Sequence, residues 1–450
     1  MTVHRDRPFV RHALISVLIV CSLLTISACT WLRPGGEEDR NQGDGGKQTG
    51  AFTIRVGAWF IDDREVMKQF QANTEKAFRE LYPLARIQWE TKLGNDYYRK
   101  LETQLASQSA PDVFYHQHVV ALTEAGYLAD LSDEPWAKQF IPQVQQFLSY
   151  KTDKEEYQPY AGKVFAASMG VGVKGYWYNK SIFEKLDLQA PRNLLELLEV
   201  CRNLKQAGII PIAAGFKDLW SMRMYFESLL QSVGYGNDEA YGSALGTGSK
   251  RLDGPEAQAA MQFFERLKKL EYINQNALSI DWGQSVQLLT SGRAAIVMQG
   301  PWLPGAVGDK IKLGFFPIAD ENGYYDMVFS TDQFVSVNAA TPLLEEAKDL
   351  VRIMLSKDIY IPFSSGNGLL PALKNMEPTF DKPVMAELMD YSKQAQSYPS
   401  WPLFISTPSI DALMEELQGI ISGVPFDPKR LGRAQELQEE MLRQKQAQQE

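Results

Sequence analysis

The stretch Asp281–Trp302, DWGQSVQLLTSGRAAIVMQGPW, contains the most informative pattern in the sequence. Its residues predict a helix that Asp281 caps and that Gly292 ends, because glycine accepts the left-handed conformation found after many helices. The apolar run Ala294–Met298 predicts a buried strand, and a Gly-Pro pair then turns the chain to present Trp302. This order is typical of an α/β unit, in which the tryptophan either fills the core or faces a site.

The same order of parts resembles a segment of extracellular solute-binding proteins family 1, the sugar-binding components of bacterial ABC importers, which include maltose-binding protein. Further motifs occur in the order expected of that family: PDVFY at 111–115, GYLADL at 126–131, YNK at 178–180 and GLLP at 368–371. The resemblance runs from about residue 52 to residue 425. It implies a periplasmic-binding-protein-like α/β fold, with two α/β lobes joined by crossing segments and a ligand cleft between them.

Length and charge limit the classes of function. A chain of 450 residues with 44% hydrophobic residues can bury more core than one domain normally holds. Its net charge of −9 argues against nucleic acid, since phosphate binding requires clustered lysine and arginine. Strands such as Phe52–Trp59 alternate with helical patterns, which favours parallel α/β sheets.

Residues 1–28 predict a lipoprotein signal peptide. A basic start precedes the apolar run Ala13–Ile26, which is too short for a membrane span of about 20 residues. Ile26-Ser-Ala-Cys29 resembles a bacterial lipobox, which implies lipidation of Cys29. Residues 29–51 then predict a flexible tether. We therefore expect a protein anchored by lipid to the extracytoplasmic face of the cell membrane.

The sequence offers little support for a nucleotide site, a metal site or a reactive thiol. Gly170–Gly175 matches GxGxxG, but a strand-like segment follows where a dinucleotide site needs a helix. His116 and His118 could share a strand face, but no third metal ligand accompanies them. Cys201 lies on the apolar stripe of a predicted helix and is expected in the core. We predict no cofactor and no metal.

The expected ends of strands supply candidate residues for binding a sugar. Aromatic rings stack on the C–H faces of sugars, while amides and carboxylates pair with the hydroxyl groups. The resemblance adds that the tryptophan after Gly-Pro stacks on sugar. Each candidate also has a structural alternative, since tryptophans fill lobe cores as well. The predicted ligand-binding residues are Trp59, His116, Gln117, Asp218, Trp220, Gln299, Trp302, Asp332 and Trp401.

Family architecture implies crossings near 166–172, 295–300 and 333–338. These crossings assign 52–165 plus 300–335 to the N-lobe, and 166–299 plus 336–450 to the C-lobe. The predicted function is that of a lipid-anchored substrate-binding protein of an ABC transporter. It would capture a carbohydrate, with an oligosaccharide favoured, by closure of the lobes and deliver it to permease subunits.

We expect a monomer without catalytic residues. Two alternatives stay open at this point. One is an exported carbohydrate-active enzyme. The other is a binding subunit that senses a solute or binds one that is not a sugar.

Overall fold

The computed structural model describes residues 50–92, 95–150, 155–235, 241–317, 326–330, 333–380, 382–394, 396–399 and 405–447. All of them belong to the unit Lys47–Glu450, and the other unit, Met1–Gly46, lies outside the described residues. The predictions for Cys29, Asp332 and Trp401 therefore concern positions outside the described residues.

Strands and helices alternate along most of the chain. The strands are Thr53–Ala58 (β1), Arg86–Thr91 (β2), Val113–His116 (β3), Ala167–Ser168 (β4), Gly172–Val173 (β5), Gly175–Asn179 (β6), Ile210–Ala213 (β7), Ala294–Gln299 (β8), Leu313–Phe316 (β9), Asp326–Ser330 (β10), Phe334–Val337 (β11) and Gln396–Pro399 (β12). The α-helices are Glu65–Leu81 (α1), Asn95–Ala106 (α2), Val119–Glu124 (α3), Pro142–Leu148 (α4), Lys180–Lys185 (α5), Leu194–Gln206 (α6), Leu219–Leu229 (α7), Tyr241–Thr247 (α8), Pro255–Lys269 (α9), Trp282–Thr290 (α10), Leu303–Val307 (α11), Leu344–Met354 (α12), Lys357–Gly366 (α13), Pro383–Gln394 (α14), Thr407–Ser422 (α15) and Leu431–Ala447 (α16). Short 3-10 turns occupy Glu155–Tyr160, Ala277–Ser279 and Pro428–Arg430, and a π-helical turn, Leu230–Tyr235, extends α7.

The first lobe is built on a sheet in the order β2-β1-β3-β11-β4. β1 runs parallel to β2 and β3, whereas β11 runs antiparallel to β3 and β4. α1, α12 and α13 pack on this sheet and share one continuous hydrophobic core with it. All four residues of β3 are buried, as expected for a strand in the middle of a covered sheet.

The second lobe is built on a sheet in the order β7-β8-β6-β9. β7 and β8 are parallel, and β6 runs antiparallel to both β8 and β9. β12, β10 and β5 form a small third sheet in that order, in which β10 is parallel to β12 and antiparallel to β5. Two α/β sheets with separate cores confirm the predicted fold class.

The predicted division of the chain between the lobes is wrong in its second half. β11, α12 and α13 belong to the first lobe, although residues 336–450 were expected in the C-lobe. α11 and β9 belong to the second lobe, although residues 300–335 were expected in the N-lobe. The expected crossing at 295–300 is β8, which lies between β7 and β6 and stays inside the second sheet. The chain instead crosses between β4 and β5, between β10 and β11, and between Leu373 and Val384.

The segment Asp281–Trp302 contains the predicted helix and the predicted buried strand. Asp281 accepts a hydrogen bond from the Gln284 backbone nitrogen at 2.8 Å, and the Gln284 side chain returns one to the Asp281 nitrogen at 3.0 Å. Gly292 has φ of +73°, so it ends α10 in the left-handed region. Every residue of β8 is buried, which confirms the buried strand.

Two other predictions about local structure are also confirmed. The GxGxxG match at Gly170–Gly175 spans β5 and leads into β6, and the next helix begins only at Lys180. The Cys201 side chain is fully buried on α6, and burial raises the pKa of its thiol well above the usual range. Among the described helices, none combines the length and the apolar character that crossing a bilayer would require.

Candidate ligand-binding cleft

Three tryptophans meet at one end of the second sheet. Trp220 stands in the first turn of α7 after β7, Trp282 begins α10, and Trp302 follows β8. The ring centroids of Trp220 and Trp302 are 5.9 Å apart, and those of Trp220 and Trp282 are 6.1 Å apart. All three side chains are only partly buried. This tryptophan group (Trp220, Trp282 and Trp302) therefore presents aromatic surface beyond the sheet.

Close backbone packing holds the tryptophan group in place. A Cβ atom on Gly300 would lie 2.2 Å from the Trp302 ring, so only glycine lets the indole lie against the chain there. A Cβ on Gly215 would lie 2.2 Å from the carbonyl oxygen of Asp281, at the start of α10. The Asp218 carboxylate accepts a hydrogen bond from the Trp282 backbone nitrogen at 2.9 Å. Asp218 thus positions α10, and the structure gives it a supporting role where ligand contact was predicted.

A second set of rings lies at the corresponding end of the first sheet. Trp59 follows β1, and its ring centroid is 5.3 Å from that of Tyr98 on α2. The Tyr98 ring is in turn 6.2 Å from the His118 ring, at the start of α3. The neighbouring Tyr97 hydroxyl donates to the Tyr115 carbonyl oxygen at 2.8 Å, which ties α2 to β3. We call Trp59, Tyr98 and His118 the first-lobe aromatic group.

A charge beside the tryptophan group acts on the first-lobe aromatic group across the lobe boundary. The His118 ring is solvent-accessible, yet its pKa is lowered, first by the surrounding protein and also by the positive charge of Arg223, whereas the negative charge of Glu102 on α2 raises it. Arg223 lies on α7 three residues after Trp220, on the same helix face. The lobes also touch beside Trp302, since a Cβ on Gly368 would lie 2.1 Å from the Pro301 carbonyl oxygen. An accessible ring enclosed by charges from both lobes is typical of a cleft.

Several polar atoms at this end of the lobes are buried without a hydrogen-bond partner among the described residues. They are both side-chain amide atoms of Gln299, the Ser221 hydroxyl and the side-chain amide oxygen of Gln333. Gln299 ends β8, and Ser221 lies one turn before Tyr225, whose hydroxyl contacts the next-to-last residue of β8. Because nearly all buried polar groups in proteins are hydrogen-bonded, such a concentration indicates a place where other polar groups bind.

His116 has a different role from the one predicted. Its side chain is 1% exposed, and its Nε2 lies 2.7 Å from the Ser336 hydroxyl. Nδ1 accepts a hydrogen bond from the His118 backbone nitrogen at 3.3 Å. Nε2 then carries the proton and donates to Ser336, which donates to the Phe165 carbonyl oxygen at 2.8 Å. Burial, with a smaller contribution from His118, lowers the pKa of His116 to about 3.

This network uses both ring nitrogens of His116. His116 therefore joins β3 to β11 in the core, and its prediction as a ligand contact is corrected. Gln117, the next residue, is half-buried, and its role stays a prediction. The described residues include no group of three or more histidine, cysteine, aspartate or glutamate side chains arranged to hold a metal.

From the predicted set, the structure brings Trp220 and Trp302 together, Gln299 ends the strand before Trp302, and Trp59 lies on the first lobe. Sequence reasoning missed Tyr98, Ser221 and Arg223, which helices contribute rather than strand ends. It considered His118 only as a metal ligand. The spacing of Trp220 and Arg223, which puts them on one helix face, was the available signal.

Comparison with known proteins gives the family. The family model described as bacterial extracellular solute-binding protein matches residues 62–360. The chain belongs to this family. It is therefore a solute-binding protein and not an enzyme, and it acts outside the cytoplasm.

Similar proteins are distant in sequence. A melibiose/raffinose/stachyose-binding protein of Bacillus subtilis is 21% identical over 340 residues, which cover 74% of this chain and 76% of that protein. A maltotriose-binding protein of Pyrococcus abyssi is 23% identical over 389 residues, or 83% of this chain and 78% of that protein. The solved structure of a chitin oligosaccharide binding protein superposes with a TM-score of 0.75 at 22% identity, covering 87% of this chain and 100% of that chain. This structural likeness shows the shared fold.

Proposed function

We propose that the protein binds a carbohydrate, in particular an oligosaccharide, between its lobes and delivers it to the permease of an ABC importer. The observation that carries this proposal is the pair of aromatic groups on opposite sides of the cleft. Sugars expose flat C–H faces that stack on aromatic rings. Trp302 and Trp220 offer such surfaces on one lobe, and Trp59 and Tyr98 offer them on the other.

The buried polar atoms support a polyhydroxylated ligand. Each sugar hydroxyl both donates and accepts a hydrogen bond, so it can pair with an amide, a hydroxyl or a carbonyl oxygen. Ser221, Gln299 and Gln333 supply these groups without partners of their own among the described residues. An apolar solute would leave them unsatisfied, which costs free energy.

Two aromatic groups on different lobes favour a ligand of more than one ring. The two relatives quoted above are named for oligosaccharides, which supports the same choice. Lipid attachment at Cys29 is proposed from the lipobox resemblance, and it would hold the protein near the permease. Cys29→Ala is expected to abolish lipid-dependent retention in the membrane fraction, and normal acylation of this variant would refute the anchor.

The direct test is titration of the full-length protein with mono- and oligosaccharides by calorimetry and tryptophan fluorescence. We expect saturable binding of at least one oligosaccharide, tighter than that of its monosaccharides, with a change in tryptophan emission. Analysis of the sugars after incubation should return them unchanged. Binding of a non-sugar solute only, or turnover of the sugar, would overturn the proposal.

A further inference from the structure

Arg223 is a half-buried arginine without a partner. Its Nε atom is buried and makes no hydrogen bond, and the described residues offer its guanidinium no ion pair. Glu227, one turn further along α7, is paired with Lys174 at 2.9 Å. The carboxylate that could have neutralised Arg223 at helical spacing therefore serves another cation.

Other half-buried arginines of the described chain are paired. Arg55 donates to the Glu90 carboxylate at 2.7 Å, and Arg64 donates to Asp62 at 2.9 Å. Taking a guanidinium out of water without an anion costs several kcal/mol, which explains why such pairs are the rule. Arg223 departs from this rule on the face of α7 that also carries Trp220.

The charge of the guanidinium acts across the boundary between the lobes. Its charge lowers the pKa of His118, which belongs to the first-lobe aromatic group. Arg223 also follows Trp220 by three residues, so the charge lies beside a ring that can stack on a sugar.

We infer that the ligand is an acidic oligosaccharide, in which Arg223 binds the carboxylate of one uronic acid unit while Trp220 stacks on the sugar ring. This inference rests on the proposed function and specifies its ligand. A guanidinium binds a carboxylate through two parallel hydrogen bonds, and the pairing returns a counter-charge to the buried group. The net charge of the chain, −9, disfavours a ligand with many carboxylates, so a single uronic acid unit fits best.

The test compares neutral and acidic sugars that differ only in the carboxylate. The full-length protein is titrated with cellobiose against cellobiouronate, and with xylotriose that carries one glucose against xylotriose that carries one glucuronic acid in the same linkage. We expect the acidic member of at least one pair to bind roughly 10- to 100-fold more tightly, in the range of a hydrogen bond to a charged group. Arg223→Gln should remove this preference, so that the two members of the pair bind with equal affinity.

Two further variants make the result specific. Arg223→Lys keeps the charge but loses the planar fork, so it should retain only part of the preference. Lys217→Gln removes an exposed positive charge just before α7 and should keep the full preference. If neutral sugars bind as tightly as acidic ones and Arg223→Gln changes neither, the inference fails while the proposed function stands. If no pair binds while another neutral oligosaccharide does, the inference fails and the proposed function stands; if no oligosaccharide binds, both fail.

Discussion

Replacing Trp302 with alanine separates a ligand-contacting tryptophan from a core tryptophan. The Trp302 ring is half-buried, rests against Gly300 and contacts Trp220 edge-on at 5.9 Å. Without ligand, the variant loses this aromatic contact and opens no closed cavity. We therefore expect its free energy of unfolding to fall by about 1–2 kcal/mol, less than the roughly 3–5 kcal/mol for a buried tryptophan.

The effect on affinity should be larger than the effect on stability. Stacking contributes about 0.5–1.5 kcal/mol beyond area burial, and about 80 Å² of ring and sugar surface adds roughly 2 kcal/mol. A loss of about 2.5–3.5 kcal/mol weakens binding by roughly 70- to 370-fold. At a ligand concentration of 100 times the parent Kd, the parent gains about 2.7 kcal/mol of stability. The variant should gain less than about 1 kcal/mol at the same concentration.

Calorimetric titration and denaturant unfolding of the same preparations provide both numbers. The matched control is Trp89→Ala, because Trp89 is also half-buried but lies on β2 and donates to Glu75 at 3.0 Å. We expect this control to lose about 2 kcal/mol of stability and to keep the parent affinity. A Trp302→Ala protein that is strongly destabilised without ligand, yet binds as tightly as the parent, would place Trp302 in the core and refute the reasoning.

Two further predictions follow from the supports of the cleft. Gly300→Ala places a methyl group where the Trp302 ring now lies, so the affinity for the ligand should fall about 10-fold in titrations. The control is Gly432→Ala, whose added methyl group meets nothing within 4 Å and should leave the affinity unchanged. The pKa of His116 is lowered to about 3 in the folded state, against about 6.5 when unfolded, so the unfolded state binds the proton between these values. Its contribution to stability is complete above about pH 6.5 and is lost as the pH falls toward 3, amounting to about 2 kcal/mol by pH 5. Unfolding of the parent and of His116→Gln at pH 7 and pH 5 checks this, and an equal loss in both proteins would contradict the assigned burial.

Local signals predicted the local structure well. The cap at Asp281, the stop at Gly292 and the buried run before Trp302 depend on neighbours within a few residues, and the structure has each of them. The assignment of segments to lobes failed because it depends on strand order. β11 pairs with β3 and β4, which precede it by more than 160 residues in sequence, and nothing in the composition of β11 specifies those partners.

The prediction of the candidate site was incomplete, and the reason is related. Alternation of polar and apolar residues indicates which face of a strand is exposed, but β3 is covered on both faces and gives no such signal. His116, at its end, therefore looked like a cleft residue although both ring nitrogens are used inside the lobe. Tyr98 and Arg223 went unrecognised because helices bring them to the cleft, where strand ends were the expected source.

Hydrogen-bond partners separate supporting residues from ligand-binding ones better than residue type does. Asp218 and Arg223 are both charged and lie on the same side of the cleft, five positions apart. The Asp218 carboxylate accepts a hydrogen bond from the Trp282 backbone nitrogen, at the start of α10, and so holds Trp282 in place. The Arg223 guanidinium has no such commitment among the described residues, although burying part of it costs free energy. An anionic group of a bound ligand removes the free-energy cost of burying an unpaired guanidinium. Arg223, rather than Asp218, is therefore the polar residue expected to determine which sugar binds.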